Sequence, residues 1–172
     1  MSRLAIVIFP RLAQLAAIQH FRETYDPLAA LIPPHLTLVF PFESDLSTED
    51  CQAHMARVTQ AVRPFRVGLW GVSGQAGEYL FLNVKRGNDQ IIALHDQLYS
   101  DVLAPYLDLR ETYVPHMTIG RVSTDAAFTQ ALREAQQSLS DFIATDVSEI
   151  SAYEIAPEGT RSVVCTVPLA EM

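Results

Sequence analysis

Pro34-His35-Leu36-Thr37-Leu38-Val39-Phe40 and, further along, Pro115-His116-Met117-Thr118-Ile119-Gly120-Arg121 state one pattern twice: proline, histidine, apolar, threonine, apolar. Side chains alternate between faces in an extended strand, so His35 and Thr37 share one face while Leu36 and Leu38 take the other. His116 and Thr118 oppose Met117 and Ile119 in the same way. The proline ahead of each histidine lacks a backbone donor and has a fixed φ, which suits the first residue of a strand and marks where the polar face begins. Each stretch is predicted to be a strand with one polar and one apolar face.

The flanking chain repeats around these strands. Residues 3–9 read as a buried strand that Pro10 ends. Leu12, Leu15, Ile18 and Phe21 then recur at helical spacing over residues 11–22, a helix that also carries His20, and the proline-rich segment 25–34 leads into the first His-Thr strand. Ser47-Thr48-Glu49-Asp50 starts a capped helix with Cys51, Met55, Val58 and Val62 on its buried stripe and His54 beside it. Strands over 65–72 and 78–85 are joined by Ser73-Gly74-Gln75-Ala76-Gly77, a hairpin-loop composition. A helix from Asn88 places Ile91, Leu94, Leu98 and Val102 on its stripe, carries His95 and stops before Pro105. Residues 106–115 lead into the second His-Thr strand, and Ser123-Thr124-Asp125 caps a helix with Phe128, Leu132, Ala135 and Leu139 inward. Two strands, about 142–155 and 160–168, close the chain around Pro157-Glu158-Gly159.

The order of elements in residues 1–77 recurs in 78–172, and the offset is nearly the same from His35 to His116 as from Phe65 to Phe142. The expectation is a single α+β domain formed by bilobal internal duplication. Two antiparallel sheets would line a central cleft, with helices on the outside and one His-Thr strand from each lobe in the shared groove.

Composition narrows the partners. A chain of 172 residues that is 49% hydrophobic can bury a core. A formal net charge of −8, with 12 basic residues scattered among 20 acidic ones, offers no basic stripe, so long nucleic acid is disfavoured. A small anionic substrate in a local pocket remains compatible, because a few donors in a cleft outweigh a screened distant field. The N-terminal apolar run is far too short for a membrane span, and Pro10-Arg11 does not resemble a cleavage region, so a soluble cytoplasmic protein without membrane partners, working as a monomer, is expected. Cys51 and Cys165 form no C-x-x-C or metal spacing and read as buried reduced thiols.

One His-x-Thr alone is ordinary in a strand. Two in equivalent places of a duplicated chain suggest a pair of proton carriers, because an unperturbed imidazole titrates near pH 6.5 and can serve as base or acid. Each such group contributes typically ~10²–10⁴-fold in rate. The threonine two residues on supplies a hydroxyl beside each ring, able to hold non-bridging phosphate oxygens. This suits in-line displacement at phosphorus, one imidazole activating the attacking oxygen and the other protonating the departing one. Two histidines and two threonines lack the further ligand a catalytic zinc needs, so no metal or other cofactor is expected. His20, His54 and His95 have no such partner and read as surface or boundary helix residues.

His35-Leu36-Thr37-Leu38 and His116-Met117-Thr118-Ile119, with Phe40-Pro41-Phe42 and Arg121 around them, resemble the 2H phosphoesterase superfamily, in particular its bacterial 2'-5' RNA ligase and cyclic phosphodiesterase branch. The resemblance implies a bilobal fold, metal-independent cleavage of 2',3'-cyclic or 2'-5'-linked phosphodiesters in small nucleotides or short RNA ends, and His35, Thr37, His116 and Thr118 as the catalytic set. Some relatives join RNA ends through a 2'-5' bond, and a nucleotide-binding module without turnover is the other alternative. Arg121 is a candidate phosphate or nucleotide contact. Strict alternation puts it opposite His116, but a bulge at Gly120 would turn it inward. Tyr113 and Phe42 flank the motifs as candidate base-stacking rings, an interaction worth ~1–3 kcal/mol.

Overall fold

The two His-Thr stretches become neighbouring strands at the centre of one sheet. In the computed structural model, which describes residues 2–75 and 77–171, the chain runs β1 (Ser2–Ile8), α1 (Leu15–Tyr25), β2 (Leu36–Ser44), α2 (Thr48–Thr59), β3 (Phe65–Gln75) and β4 (Tyr79–Arg86). It continues with α3 (Asn88–Leu98), a 3-10 helix (Asp101–Tyr106), β5 (His116–Arg121), α4 (Asp125–Ser138), β6 (Ile143–Val147), β7 (Glu149–Ile155) and β8 (Arg161–Pro168). Met1, Ala76 of the expected hairpin loop, and Met172 lie outside the described residues.

The strands form a single eight-stranded sheet in the order β6-β3-β4-β5-β2-β1-β7-β8, with antiparallel neighbours throughout. The two sheets expected from the sequence are therefore one. β2 and β5 pair through Leu36 opposite Met117, which closes what would otherwise be two edges with bare N–H and C=O groups in the middle of the molecule. The connections also cross between the sides. β3 pairs with β4, whereas β7 returns to pair with β1.

One face of the sheet carries the core. Leu4, Ile6, Leu36, Leu38, Leu82 and Met117 pack there with Ile18 and Phe21 of α1, Met55 of α2, Leu94 of α3 and Ala131 of α4. The other face holds a smaller apolar group of Ala5, Val7, Ile32, Tyr153 and Ile155. Ser47 Oγ accepts from the Asp50 N–H at 3.1 Å, and Thr124 Oγ1 accepts from the Ala127 N–H at 3.2 Å, so α2 and α4 have the expected hydroxyl caps. No helix among the described residues is long and apolar enough to cross a membrane.

Three predicted boundaries shift for physical reasons. β3 runs on to Gln75, with Ser73, Gly74 and Gln75 paired to β4, because the ladder uses backbone groups and a Cβ on Gly74 would strike the Phe128 ring of α4. The helix carrying Leu98 ends there, since Pro105 cannot continue α-helical hydrogen bonding. The chain tightens into the 3-10 helix and leaves Val102 exposed. The predicted strand over 142–155 splits at Ser148 into β6 and β7, which join opposite halves of the sheet.

The register between β4 and β5 holds a bulge. Leu80 pairs with Gly120 but Phe81 with Thr118, so β5 has one extra residue at Ile119–Gly120. Both are buried, and a Cβ on Gly120 would lie 3.2 Å from Leu80 Cδ1 and from Tyr25 Cβ. Gly120→Val is expected to overfill this contact and lower stability by about 1–3 kcal/mol, measurable by chemical denaturation.

Candidate active site

Continuing the antiparallel register from Leu36–Met117 sets His35 across from Thr118 and Thr37 across from His116. Leu36 and Met117 are buried in the core, so alternation turns all four polar side chains to the opposite face, where each is half-buried. In a regular ladder, opposed Cβ atoms lie about 4.5–5.5 Å apart and diagonal ones about 7–8 Å. The two imidazoles occupy one diagonal and the two hydroxyls the other.

Both rings are oriented in the same way. His35 Nδ1 lies 2.8 Å from the Pro33 carbonyl oxygen, and His116 Nδ1 lies 2.6 Å from that of Val114. A carbonyl can only accept, so Nδ1 carries the hydrogen on each ring and Nε2 keeps its lone pair. A neutral Nε2 is a general base and a protonated one a general acid.

Burial lowers both imidazoles from the ordinary 6.5. His35 is pushed down to about 4, chiefly by burial and further by the Arg22 and Arg161 guanidiniums, against the opposing pull of the Pro33 carbonyl and Asp26. His116 is lowered by burial, with the Val114 carbonyl opposing. The neighbours of the two rings differ. Phe81 lies against His116 with ring centres 4.0 Å apart, whereas Phe9 and Tyr153 meet His35 edge-on at 6.1 and 6.2 Å.

Phe81 belongs to a second alternating set that the sequence reading passed over. Tyr79, Phe81 and Asn83 of β4 are half-buried between the buried Leu80, Leu82 and Val84, and Phe81 and Asn83 stand opposite Thr118 and His116. Tyr79 and Phe81 stack at 6.1 Å. The period of two in Tyr79-Leu80-Phe81-Leu82-Asn83 carried this signal, but without the β4–β5 pairing nothing tied it to His116.

The three flanking candidates divide. Arg121 lies past the bulge, opposite Tyr79, with its guanidinium 5.1 Å over the Tyr79 ring and its Nε donating to Glu78 at 2.5 Å. It therefore joins the aromatic strip on the histidine face. Phe42 does not line this face: it is 6% exposed and packs in the core against Tyr106. Alternation from Leu36 itself places Phe42 on the buried face, and the irregular β1–β2 register shows instead at Val39, which is buried, and Phe40, which is exposed. Tyr113 donates its hydroxyl to the Thr37 carbonyl at 2.7 Å and has one ring face covered by His95 at 3.6 Å, so its part is to hold β2.

Two histidines read as boundary residues are buried. His95 Nδ1 lies 2.7 Å from the Leu38 carbonyl oxygen, and burial lowers its pKa. His54 accepts from Arg57 at Nδ1 and donates from Nε2 to the Leu98 carbonyl, both at 2.8 Å. Each satisfies a helix or strand backbone group that its apolar neighbours could not, a demand invisible in helical periodicity. His20 is on the surface, 3.8 Å from Glu23. Of the thiols, Cys51 is buried and pushed up to about 12 by desolvation, and Cys165 is half-buried. No group of three or more His, Cys, Asp or Glu side chains that could hold a metal ion occurs among the described residues.

With this geometry in place, comparison with known proteins is informative. The model of the 2'-5' RNA ligase superfamily matches residues 9–156. A Bacillus cereus relative bearing the provisional name of phosphoesterase is 30% identical over 133 residues, 76% of each chain. A Geobacillus kaustophilus relative of the same provisional name is 34% identical over 122 residues, 67% of each chain. Among solved structures, Escherichia coli LigT complexed with 3'-AMP superposes with a TM-score of 0.63 at 17% identity, over 99% of both chains. TT0787 of Thermus thermophilus does so with a TM-score of 0.67 at 16% identity, over 99% of this chain and 100% of that one. At these identities the structural likeness speaks for the fold.

Two outcomes follow from the site's electrostatics and bonding. Unfolding returns His35 from about 4 to its ordinary 6.5, so the unfolded chain binds more protons between those values. The stability due to this group is complete above pH 6.5 and is lost as pH falls through about 4. His35→Asn is therefore expected to flatten the fall of Tm with decreasing pH across that window, in thermal melts at matched ionic strength. Tyr113→Phe bares the Thr37 carbonyl and is expected to lower stability by about 1–3 kcal/mol in urea titrations.

Proposed function

The chain belongs to the 2'-5' RNA ligase superfamily, and from that premise we propose that it is a metal-independent phosphodiesterase acting on 2',3'-cyclic phosphates or 2'-5' phosphodiester bonds of nucleotides and short RNA ends. One observation carries the reading: two histidines on one face, each with Nδ1–H bonded to the carbonyl two residues back and Nε2 left free, with a threonine opposite each.

The reaction balances without a further reagent. Water attacks phosphorus in line as one neutral Nε2 takes its proton, the phosphorus–oxygen bond to the leaving ribose oxygen breaks, and the other, protonated Nε2 supplies that oxygen's proton. Thr37 and Thr118 donate to the non-bridging oxygens, whose charge also favours the imidazolium that burial disfavours in the empty site. The aromatic strip of Tyr79 and Phe81 takes the base by stacking, and Arg121 sits beside it for a phosphate or ribose oxygen. All of these groups come from one chain, so the reaction requires no second copy. The net charge of −8 fits a substrate held locally rather than along a long backbone.

Hydrolysis of a panel of 2',3'-cyclic mononucleotides in the presence of EDTA tests this reading. Turnover is expected to survive the chelator and to fall by about 10²–10⁴-fold in His35→Ala and in His116→Ala, with little further loss in the double variant. Full activity in His35→Ala would overturn the two-histidine mechanism. Phe81→Ala is expected to raise KM more than it lowers kcat, because stacking holds the nucleotide before and during the reaction alike.

A further inference from the structure

The two histidines are held by loops that look alike in sequence and differ in construction. The loop before His116 is a surface segment: Leu109 and Val114 are exposed, and its ion pair, Asp108 with Arg110, is solvated. Behind the loop before His35 lies a buried cation. Arg22, in the last turn of α1, is 1% exposed and shares Asp26 Oδ2 between its Nε and one terminal nitrogen, both at 2.8 Å. Its other terminal nitrogen donates to the Ile32 carbonyl at 2.9 Å and to Gln19 at 3.0 Å. Asp26 uses its second oxygen to accept from the Leu28 N–H at 2.9 Å, and Gln19 donates to the Ala29 carbonyl at 3.0 Å. Segment 26–32 is thus clamped at Leu28, Ala29 and Ile32, and the next carbonyl, that of Pro33, is the one that fixes the His35 ring.

A buried ion pair is an expensive way to hold a loop, since desolvation offsets much of its attraction. A well-packed apolar residue would fix the loop at no such cost, which points to a role for the charges themselves. We propose that Arg22 and Asp26 are positioning residues for His35: the pair locks the Pro33 carbonyl that holds Nδ1–H, which leaves Nε2 free to accept a proton. The charged groups acting on His35 are Arg22 and Asp26 behind the loop and Arg161 at the start of β8, and Phe9 and Tyr153 close its sides. Among the described residues no corresponding cation acts on His116, whose shift comes from burial against the opposing pull of its carbonyl bond. The carbonyl that orients His35 is thus backed by a buried ion pair, whereas the ion pair of the loop before His116 is solvated. This rests on the two-histidine reading for its catalytic meaning, but the state of the ring can be observed without turnover.

The test is an NMR titration of the histidine side chains, ¹⁵N-labelled, in the wild-type chain, Arg22→Gln and Asp26→Asn. In the wild type the ¹⁵N shifts are expected to report His35 as the Nδ1–H tautomer at neutral pH; the Nε2–H tautomer would overturn the proposal with no variant needed. Loss of the cation is expected to raise the His35 midpoint and loss of the anion to lower it, with His116 unmoved in both. Mere loosening of the loop would admit water and raise the midpoint in both variants. A rise in both, or no change in either, would overturn the proposal. Arg22→Lys keeps the charge without the forked reach. It is expected to leave the midpoint near the wild-type value while the Nε2–H tautomer becomes partly populated, and an unchanged tautomer would remove the locking role. If no phosphodiester is hydrolysed but these shifts appear, the catalytic reading fails and the positioning stands. If turnover is found, Arg22→Gln is expected to move the acidic limb of kcat/KM upward in step with the His35 midpoint.

Discussion

The pairing of Leu36 with Met117 is the constraint from which the rest of the site follows. It joins the two sides of the sheet, and it fixes the register in which His35 meets Thr118 and Thr37 meets His116. Both residues are buried on the helix-covered face, so a slip by one position would carry all four polar side chains into the core and both apolar ones out. Hydrophobic burial on one face thereby specifies a polar constellation on the other. Neither strand could hold that register alone, because half of the constellation comes from each.

Beyond that pair, side chains take over the work of the ladder. Tyr113 bonds the Thr37 carbonyl, His95 the Leu38 carbonyl, and the Phe40 N–H donates to the Tyr99 hydroxyl at 3.0 Å. His95 and Tyr113 stack face to face, and Tyr99 meets His95 edge-on at 4.9 Å, so the three act as one block. This block leaves β2 with satisfied backbone groups while the histidine face stays open. On the other side of the site, the bulge at Ile119–Gly120 does the opposite job: it breaks the alternation so that Arg121 reaches the face it would otherwise miss.

Much of this was legible in the sequence, for a reason particular to strands. A period of two read from His35-Leu36-Thr37 and His116-Met117-Thr118 assigns faces outright, and the Gly120 bulge could be foreseen because an arginine on the wrong face needs one. Legibility ended where pairing partners matter. Nothing local to β2 or β5 says whether they meet, so one sheet was read as two. Phe42 suggests a stacking ring only by its nearness to the motif in sequence, whereas the period of two already sets it on the buried Leu36 face. His54, His95 and Arg22 were missed as buried residues for a related reason. Each is drawn inside by a carbonyl or carboxylate that lies on a loop, a strand or another helix, and helical periodicity records apolar surface, not hydrogen-bond demand.

The crossing of the connections bears on how the chain comes to be folded at all. β1 is completed only by β7, more than half a chain away, and β3 only by β6, with β4, α3, β5 and α4 between them. Fixing such distant contacts means closing long loops first, which slows folding relative to proteins built from local pairings. Until residues 149–155 leave the ribosome, the apolar edge of β1 has no partner. Until that pairing forms, the sheet keeps an open edge, a surface on which other chains can pair.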